Sequence, residues 1–232
     1  MKILQISDFH NAVEKAKDIL YEKVDRKTVL FLSGGATPKS LYTQLANEKI
    51  IHPAAVGLID ERYGKKFHEK SNELMIKETG FLHYLSSATI PFYPILNKNF
   101  SREKTAKAYD KTTRDLFFHF PKSVAIMGVG ADGHTSSIIP NRKDFIDPMF
   151  AEGKKQLFVG ELNDTKSDYK ERIGMTFAGL SLIDYFIVLL FGKEKKKALQ
   201  KMFDEGSLEE IPARFFTQQA SNNTIIITDQ EI

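Results

Sequence analysis

Residues 127–137 constrain this chain more than any other segment. Their sequence is Met-Gly-Val-Gly-Ala-Asp-Gly-His-Thr-Ser-Ser, and its first residue is the last one of the apolar run 124–127. The run predicts a buried strand, and the glycines that follow let the backbone turn sharply and approach a ligand closely. Ligands of open α/β sheets bind at the carboxyl ends of the strands. We therefore predict that the turn at Gly130 lines a site in which His134 and Asp132 are catalytic.

The residue types support acid–base chemistry. An imidazole titrates near neutral pH, so His134 can take a proton from water. Asp132, two residues earlier, can fix the tautomer of the imidazole or bind a substrate hydroxyl. An inert histidine in a surface loop is the competing interpretation, because short motifs are weak evidence by themselves.

Short aliphatic or β-branched runs alternate along the chain with segments of helical periodicity. The predicted strands are residues 28–33, 55–59, 123–128, 157–160, 185–191 and 224–228. The predicted helices are residues 8–24, 38–48, 71–79, 101–118 and 193–203. This alternation predicts an α/β three-layer sandwich with a mainly parallel, Rossmann-like central sheet flanked by helices. Without repeats or linkers, we expect one domain over residues 1–232, with the polar stretch 141–155 as a surface loop rather than a lid.

Composition excludes several classes of function. The chain has 33 basic and 30 acidic residues, a net charge of +3, which is not the strong positive field of a nucleic-acid-binding protein. It contains no cysteine, which excludes disulfides and thiolate chemistry. No secretory signal or membrane-spanning run is evident, so we expect a soluble, cytoplasmic protein without a nucleic-acid or membrane partner.

An anion site is predicted where the strand at 28–32 ends. The sequence Ser-Gly-Gly-Ala-Thr-Pro begins at Ser33 and leads into a helical pattern. Exposed N–H groups at a helix N-terminus attract phosphate, so Gly34, Gly35 and Thr37 are candidate phosphate ligands. The loop matches neither the Walker A motif nor GxGxxG, and a plain strand-to-helix turn explains it equally well.

Further charged residues follow other predicted strands. Asp60 and Arg62 follow the strand at 55–59, and Arg62 could bind phosphate with two hydrogen bonds. Arg172 is a second candidate phosphate ligand, and Lys193 follows the run ending at residue 191. A hydrated loop with internal ion pairs is the competing interpretation of residues 60–62. The remaining lysines of that helix, Lys195, Lys196, Lys197 and Lys201, are predicted to form a solvated face.

Together these motifs resemble the 6-phosphogluconolactonases in order and spacing. The matching segments are residues 33–38, 60–62, 71–72, 128–137, 172–176 and 192–193. That family shares its NagB/RpiA-like fold with the glucosamine-6-phosphate isomerases (deaminases), whose pattern reads DGHxxxxEP. Here Ile139 stands at the place of that glutamate, and isoleucine cannot move a proton. The deaminases also have Asp-Glu-Tyr where this chain has Asp-Glu-Arg at 60–62, so both differences favour the lactonases.

The resemblance implies hydrolysis of 6-phospho-D-glucono-1,5-lactone, a phosphosugar lactone, to 6-phosphogluconate in the oxidative pentose phosphate pathway. It implies His134 as the general base, with no metal and no cofactor, and backbone N–H groups between Gly130 and Gly133 as candidate oxyanion donors. A monomer or small homo-oligomer is expected. The alternatives are an amino-sugar phosphate deaminase, a non-catalytic sugar-phosphate-binding protein, and a nucleic-acid-binding protein that uses the lysine-rich helix.

Overall fold

The computed structural model describes residues 1–96, 99–142, 156–164 and 168–231. Within these ranges the strands are β1 (Lys2–Gln5), β2 (Thr28–Leu32), β3 (Ala55–Leu58), β4 (Asp60–Arg62), β5 (Lys122–Gly128), β6 (Phe158–Asn163), β7 (Glu171–Met175), β8 (Tyr185–Leu190) and β9 (Thr224–Thr228). The helices are α1 (Phe9–Lys23), α2 (Ala36–Glu48), α3 (Asn72–Glu78), α4 (Phe81–Ser87), α5 (Arg102–His119), α6 (Phe177–Leu180), α7 (Lys196–Phe203) and α8 (Phe215–Gln218). Short 3-10 turns occupy Lys193–Lys195, Pro212–Arg214 and Ser221–Asn223.

Six strands form the central sheet in the order β1-β9-β8-β5-β2-β3, and every pairing in it is parallel. Strands of a parallel sheet that is covered on both faces are continuous apolar runs. The sequence Thr-Val-Leu-Phe-Leu of β2 is such a run, and all five residues are buried. The predicted α/β fold, with a mainly parallel central sheet and helices on both sides, is confirmed.

Local sequence signals explain where several helices begin. Asp8 accepts a hydrogen bond from the N–H of Asn11 at 2.8 Å and starts α1. Ser71 accepts one from the N–H of Leu74 at 2.9 Å and starts α3. Such side-chain caps satisfy backbone donors that have no partner within the helix. The bounds of α1, α3 and α5 therefore lie within one residue of the predicted ones.

A second, antiparallel sheet is the main departure from the prediction. Its three strands run in the order β4-β7-β6. The run predicted at 157–160 belongs to this sheet as β6, so its assignment to the parallel sheet was wrong. Strands β1, β4 and β7 and helices α4, α6 and α8 were not predicted, and residues 143–155 of the expected surface loop lie outside the described residues.

The topology brings distant parts of the chain to one edge. Because β2, β3, β5 and β8 are parallel, the loops after them all leave the sheet on the same side. Strand β4 begins two residues after β3 ends and pairs with β7 in the small sheet. The carboxyl edge of the central sheet and one edge of the small sheet thus face the same space.

Candidate active site

An open cleft of about 530 Å³ lies at this shared edge. Eight of the predicted site residues line it: Gly34, Gly35, Thr37, Asp60, Arg62, Gly130, His134 and Arg172. Asp132 lines an adjoining cavity of about 310 Å³ together with His134. Predicted residues from the segments after two central strands, β2 and β5, and from the small sheet are therefore brought together.

His134 and Asp132 form a close pair on the loop after β5. Nδ1 of His134 lies 2.6 Å from Oδ1 of Asp132, and that oxygen also accepts the backbone N–H of His134 at 3.1 Å. The hydrogen bond from His134 holds the pKa of Asp132 well below its usual range. An ionised carboxylate only accepts hydrogen bonds, so in the neutral imidazole of His134 Nδ1 carries the proton and Nε2 is the proton acceptor.

The close packing of this pair explains Gly130. A Cβ at Gly130 would overlap the imidazole of His134 and lie 2.7 Å from Oδ1 of Asp132. The predicted role of the turn as a source of oxyanion donors is wrong for two of its N–H groups. The N–H of Gly130 donates to the carbonyl of His134, and that of Gly133 donates to the carbonyl of Gly130, both at 2.9 Å.

Two arginines form the positive side of the cleft. Arg62 on β4 and Arg172 on β7 are direct partners across the antiparallel pair, so their side chains project from the same face. Arg172 is buried, and burial and then the charge of Arg62 lower its pKa. Its Nη2 donates to Asp164 at 2.9 Å, while its buried Nε lacks a hydrogen-bond partner among the described residues. Like charges placed opposite each other are destabilising unless an anion lies between them.

Asp60 is held by neighbours from two other segments. The hydroxyl of Ser137 donates to its Oδ2, and the side-chain amide of Asn72 donates to its Oδ1 at 3.3 Å. Ser136 and Ser137 both have left-handed backbones, with φ of 51° and 61°. Such residues cost energy and are frequent at functional sites. The turn places the Ser137 hydroxyl against Asp60.

Glu61 supports the cleft wall from inside. Its carboxylate accepts the N–H groups of Arg62 and Asn72 at 2.7 Å and that of Glu73 at 2.9 Å. Burial raises the pKa of Glu61 to about 7 against the opposing effect of these donors. Glu61 therefore joins β4 to the N-terminus of α3, and sequence reasoning assigned it no such role.

The lysine that lines the cleft is Lys195, two residues after the predicted Lys193. Lys193 is not among the described residues that line the cleft, whereas Lys195 is, although Lys195 was expected on the solvated face of the helix. The structure forms a 3-10 turn over Lys193–Lys195 before α7 begins. With three residues per turn, Lys193 and Lys195 project in different directions, and of these two only Lys195 lines the cleft. An α-helical pattern that begins at Lys193 does not predict that Lys195 lines the cleft.

No described group of three or more His, Asp or Glu side chains is arranged to hold a metal ion. None of the helices in the described ranges is long and apolar enough to cross a membrane.

Comparison with known proteins places the chain among phosphosugar enzymes. A family model described as Glucosamine-6-phosphate isomerases/6-phosphogluconolactonase matches residues 8–226. A curated relative from Synechocystis sp. named 6-phosphogluconolactonase is 30% identical over 213 residues, which cover 86% of this chain and 81% of the relative.

Solved structures show the same fold. The crystal structure of a 6-phosphogluconolactonase from Shewanella baltica OS155 has a TM-score of 0.82 and 19% identity, covering 98% of this chain and 97% of that one. A monomeric glucosamine-6-phosphate deaminase has a TM-score of 0.76 and 18% identity, covering 100% and 98%. Both branches of the family share the fold, so the fold alone does not distinguish them. The predicted family and enzyme class are confirmed by these relatives, and the chain belongs to the glucosamine-6-phosphate isomerase/6-phosphogluconolactonase family.

Proposed function

We propose that this chain hydrolyses 6-phospho-D-glucono-1,5-lactone to 6-phosphogluconate, the second step of the oxidative pentose phosphate pathway. The observation that carries the proposal is the cleft itself, in which an Asp132-oriented His134 shares one open space with the paired Arg62 and Arg172. A phosphosugar lactone has an electrophilic carbonyl at one end and a phosphate at the other. The two groups of residues match these two ends.

His134 acts on the ester end of the substrate. Its Nε2 takes a proton from a water molecule, whose oxygen attacks the lactone carbonyl. The imidazolium then returns the proton to the ring oxygen as the carbon–oxygen bond breaks. Asp132 stays ionised, holds the tautomer and stabilises the imidazolium through the Nδ1 hydrogen bond.

The phosphate end binds to the positive side of the cleft. Arg62 and Arg172 supply guanidinium donors, and Gly34, Gly35 and Thr37 supply the glycine loop and the start of α2. Lys195 adds a third positive charge in the cleft lining. Binding energy from this remote group holds the carbonyl at His134, which lowers the entropic part of the barrier. Asp60 is available for a sugar hydroxyl.

Deamination of glucosamine 6-phosphate is disfavoured by one residue of the cleft. Ile139 lines both the cleft and the adjoining cavity beside His134, where the deaminase pattern has a glutamate. An aliphatic side chain cannot relay a proton.

We propose lactone hydrolysis in the cytoplasm by a monomer or small homo-oligomer, without a nucleic-acid partner.

The test is hydrolysis of freshly generated 6-phosphogluconolactone, followed as acid release against a blank without enzyme. We expect saturable turnover well above the spontaneous rate. Ammonia release from glucosamine 6-phosphate is measured in parallel. A lactone rate equal to the blank would reject the proposal, and ammonia release would replace it with the deaminase alternative.

A further inference from the structure

Asn72 lies between two oppositely charged residues of the cleft. It is the first residue of α3, is 1% exposed, and its backbone N–H donates to Glu61 at 2.7 Å. Its side chain lines the cleft between Asp60 and Arg62. The backbone contact fixes the position from which this side chain extends.

The two ends of the amide make opposite kinds of contact. Nδ2 donates to the backbone carbonyl of Asp60 at 2.8 Å and to its Oδ1 at 3.3 Å, whereas Oδ1 accepts Nη1 of Arg62. The reversed amide would place N–H groups against the guanidinium and oxygen against oxygen, so the orientation is forced. A primary amide is the one short side chain that supplies donors at one end and an uncharged acceptor at the other.

The neutrality of this acceptor has an electrostatic consequence. Asp60 and Arg62 are two residues apart on β4, so they project from the same face. A direct ion pair between them would neutralise the positive charge of the guanidinium. Arg62 instead gives Nη1 to two neutral oxygens, those of the Asn72 amide and of the Lys70 carbonyl at 3.2 Å.

The glycine loop contacts the same amide. A Cβ at Gly34 would overlap Oδ1 of Asn72, so the loop backbone packs directly on the side chain. One amide thus sets the distance from the loop after β2 to the arginine on β4. Binding of an anion that contacts both the loop and Arg62 therefore depends on that distance.

We propose that Asn72 is a positioning residue that keeps Asp60 and Arg62 from pairing, so that Arg62 stays free for the phosphate group of the ligand. The inference rests on the proposed function only for the identity of that ligand. Removal of the amide lets Asp60 neutralise Arg62. The loss of anion affinity then depends on the charge of Asp60, which a purely structural role for Asn72 does not require.

The experiment is a double-mutant cycle read by the Kd for inorganic phosphate, measured by phosphorus NMR titration. We expect Asn72→Ala to raise Kd about tenfold, the worth of one charge-assisted hydrogen bond. In the Asp60→Asn background the same substitution should change Kd less than twofold. An equal increase in both backgrounds, or no phosphate binding by the wild-type protein, would overturn the inference.

A second variant covers a failure of Asn72→Ala to fold. Asn72→Asp keeps the side-chain volume but offers Arg62 a charged partner, so Kd should rise more than tenfold. Asn47→Asp makes the same charge change at an exposed position near the far end of α2 and should leave Kd unchanged. Phosphate affinity of the Asn72→Asp protein equal to that of wild type would contradict the proposal. A wild-type protein that binds phosphate without lactone turnover would reject the proposed function alone.

Discussion

The two sheets contribute to the cleft in different ways. The central parallel sheet supplies His134 and the glycine loop from turns that directly follow β5 and β2. The small antiparallel sheet supplies Arg62 and Arg172, which lie 110 positions apart in sequence and meet only because β4 pairs with β7. The proposed base and the glycine loop are therefore positioned by local turns, whereas the two arginines of the proposed anion site are positioned by long-range strand pairing. Substitutions in the first region should change chemistry with little effect on folding, whereas some in the second should change both.

The largest effect is expected from His134→Ala. Loss of a general base lowers kcat by about 10²- to 10⁴-fold, while KM for the lactone should change little because the phosphate contacts remain. The side chain of His134 is 44% exposed, so the melting temperature should stay close to that of wild type. Initial-rate kinetics with subtraction of spontaneous hydrolysis measure both constants.

The matched control is His83→Ala, an exposed histidine on α4 outside the cleft lining. It should retain wild-type kcat. A His134→Ala protein with wild-type kcat would show that His134 is not the general base. The central sheet would then supply no proposed catalytic residue to the comparison of the two sheets.

The two arginines of the small sheet differ in whether their loss should affect only ligand binding or also protein stability. Arg62 is half-buried, and Arg62→Ala should raise KM about 10- to 100-fold, the range for one or two charge-assisted hydrogen bonds, with kcat nearly unchanged. Arg172 is buried and shares its guanidinium with Asp164. Arg172→Ala should therefore raise KM and also lower the melting temperature, because it leaves a cavity and removes a partner of Asp164.

Thermal unfolding with and without inorganic phosphate tests this pair independently of turnover. Without phosphate, Arg62→Ala should lower the melting temperature less than Arg172→Ala does, because relief of the like charge across the β4–β7 pair offsets the lost hydrogen bonds to Asn72 and Lys70. With phosphate, its gain in melting temperature should be smaller than that of wild type. Equal gains in the two proteins would mean that Arg62 does not bind the anion.

The same division between local and long-range structure explains what the sequence could predict. Strands β2, β5 and β9 are buried apolar runs, and Asp8 and Ser71 are helix caps, so a window of a few residues identifies them. The short motifs that follow β5 and β2 likewise indicated His134 and the glycine loop. These elements depend on neighbours close in sequence.

Elements that depend on distant partners were missed. Strand β4 has only three residues, Asp-Glu-Arg, which show no apolar alternation and resemble a hydrated loop. It is a strand because β7 supplies its hydrogen bonds and because α3 presents backbone N–H groups to Glu61. The place of Arg172 opposite Arg62 follows from that strand pairing, and the place of Asn72 follows from the contact of α3 with Glu61. No local sequence pattern predicts either arrangement.

The smallest expected effect concerns the two lysines that the 3-10 turn separates. Lys195 lines the cleft and is partly buried, whereas Lys193 is exposed. Lys195→Ala should raise KM severalfold, as removal of one partly solvated charge does, while Lys193→Ala should change KM less than twofold. The increase for Lys195→Ala should shrink at high salt, because screening already weakens that charge in the wild-type protein. If Lys193→Ala gave the larger KM instead, the third charge would come from the first residue of the turn, and the 3-10 geometry would not explain the positive side of the cleft.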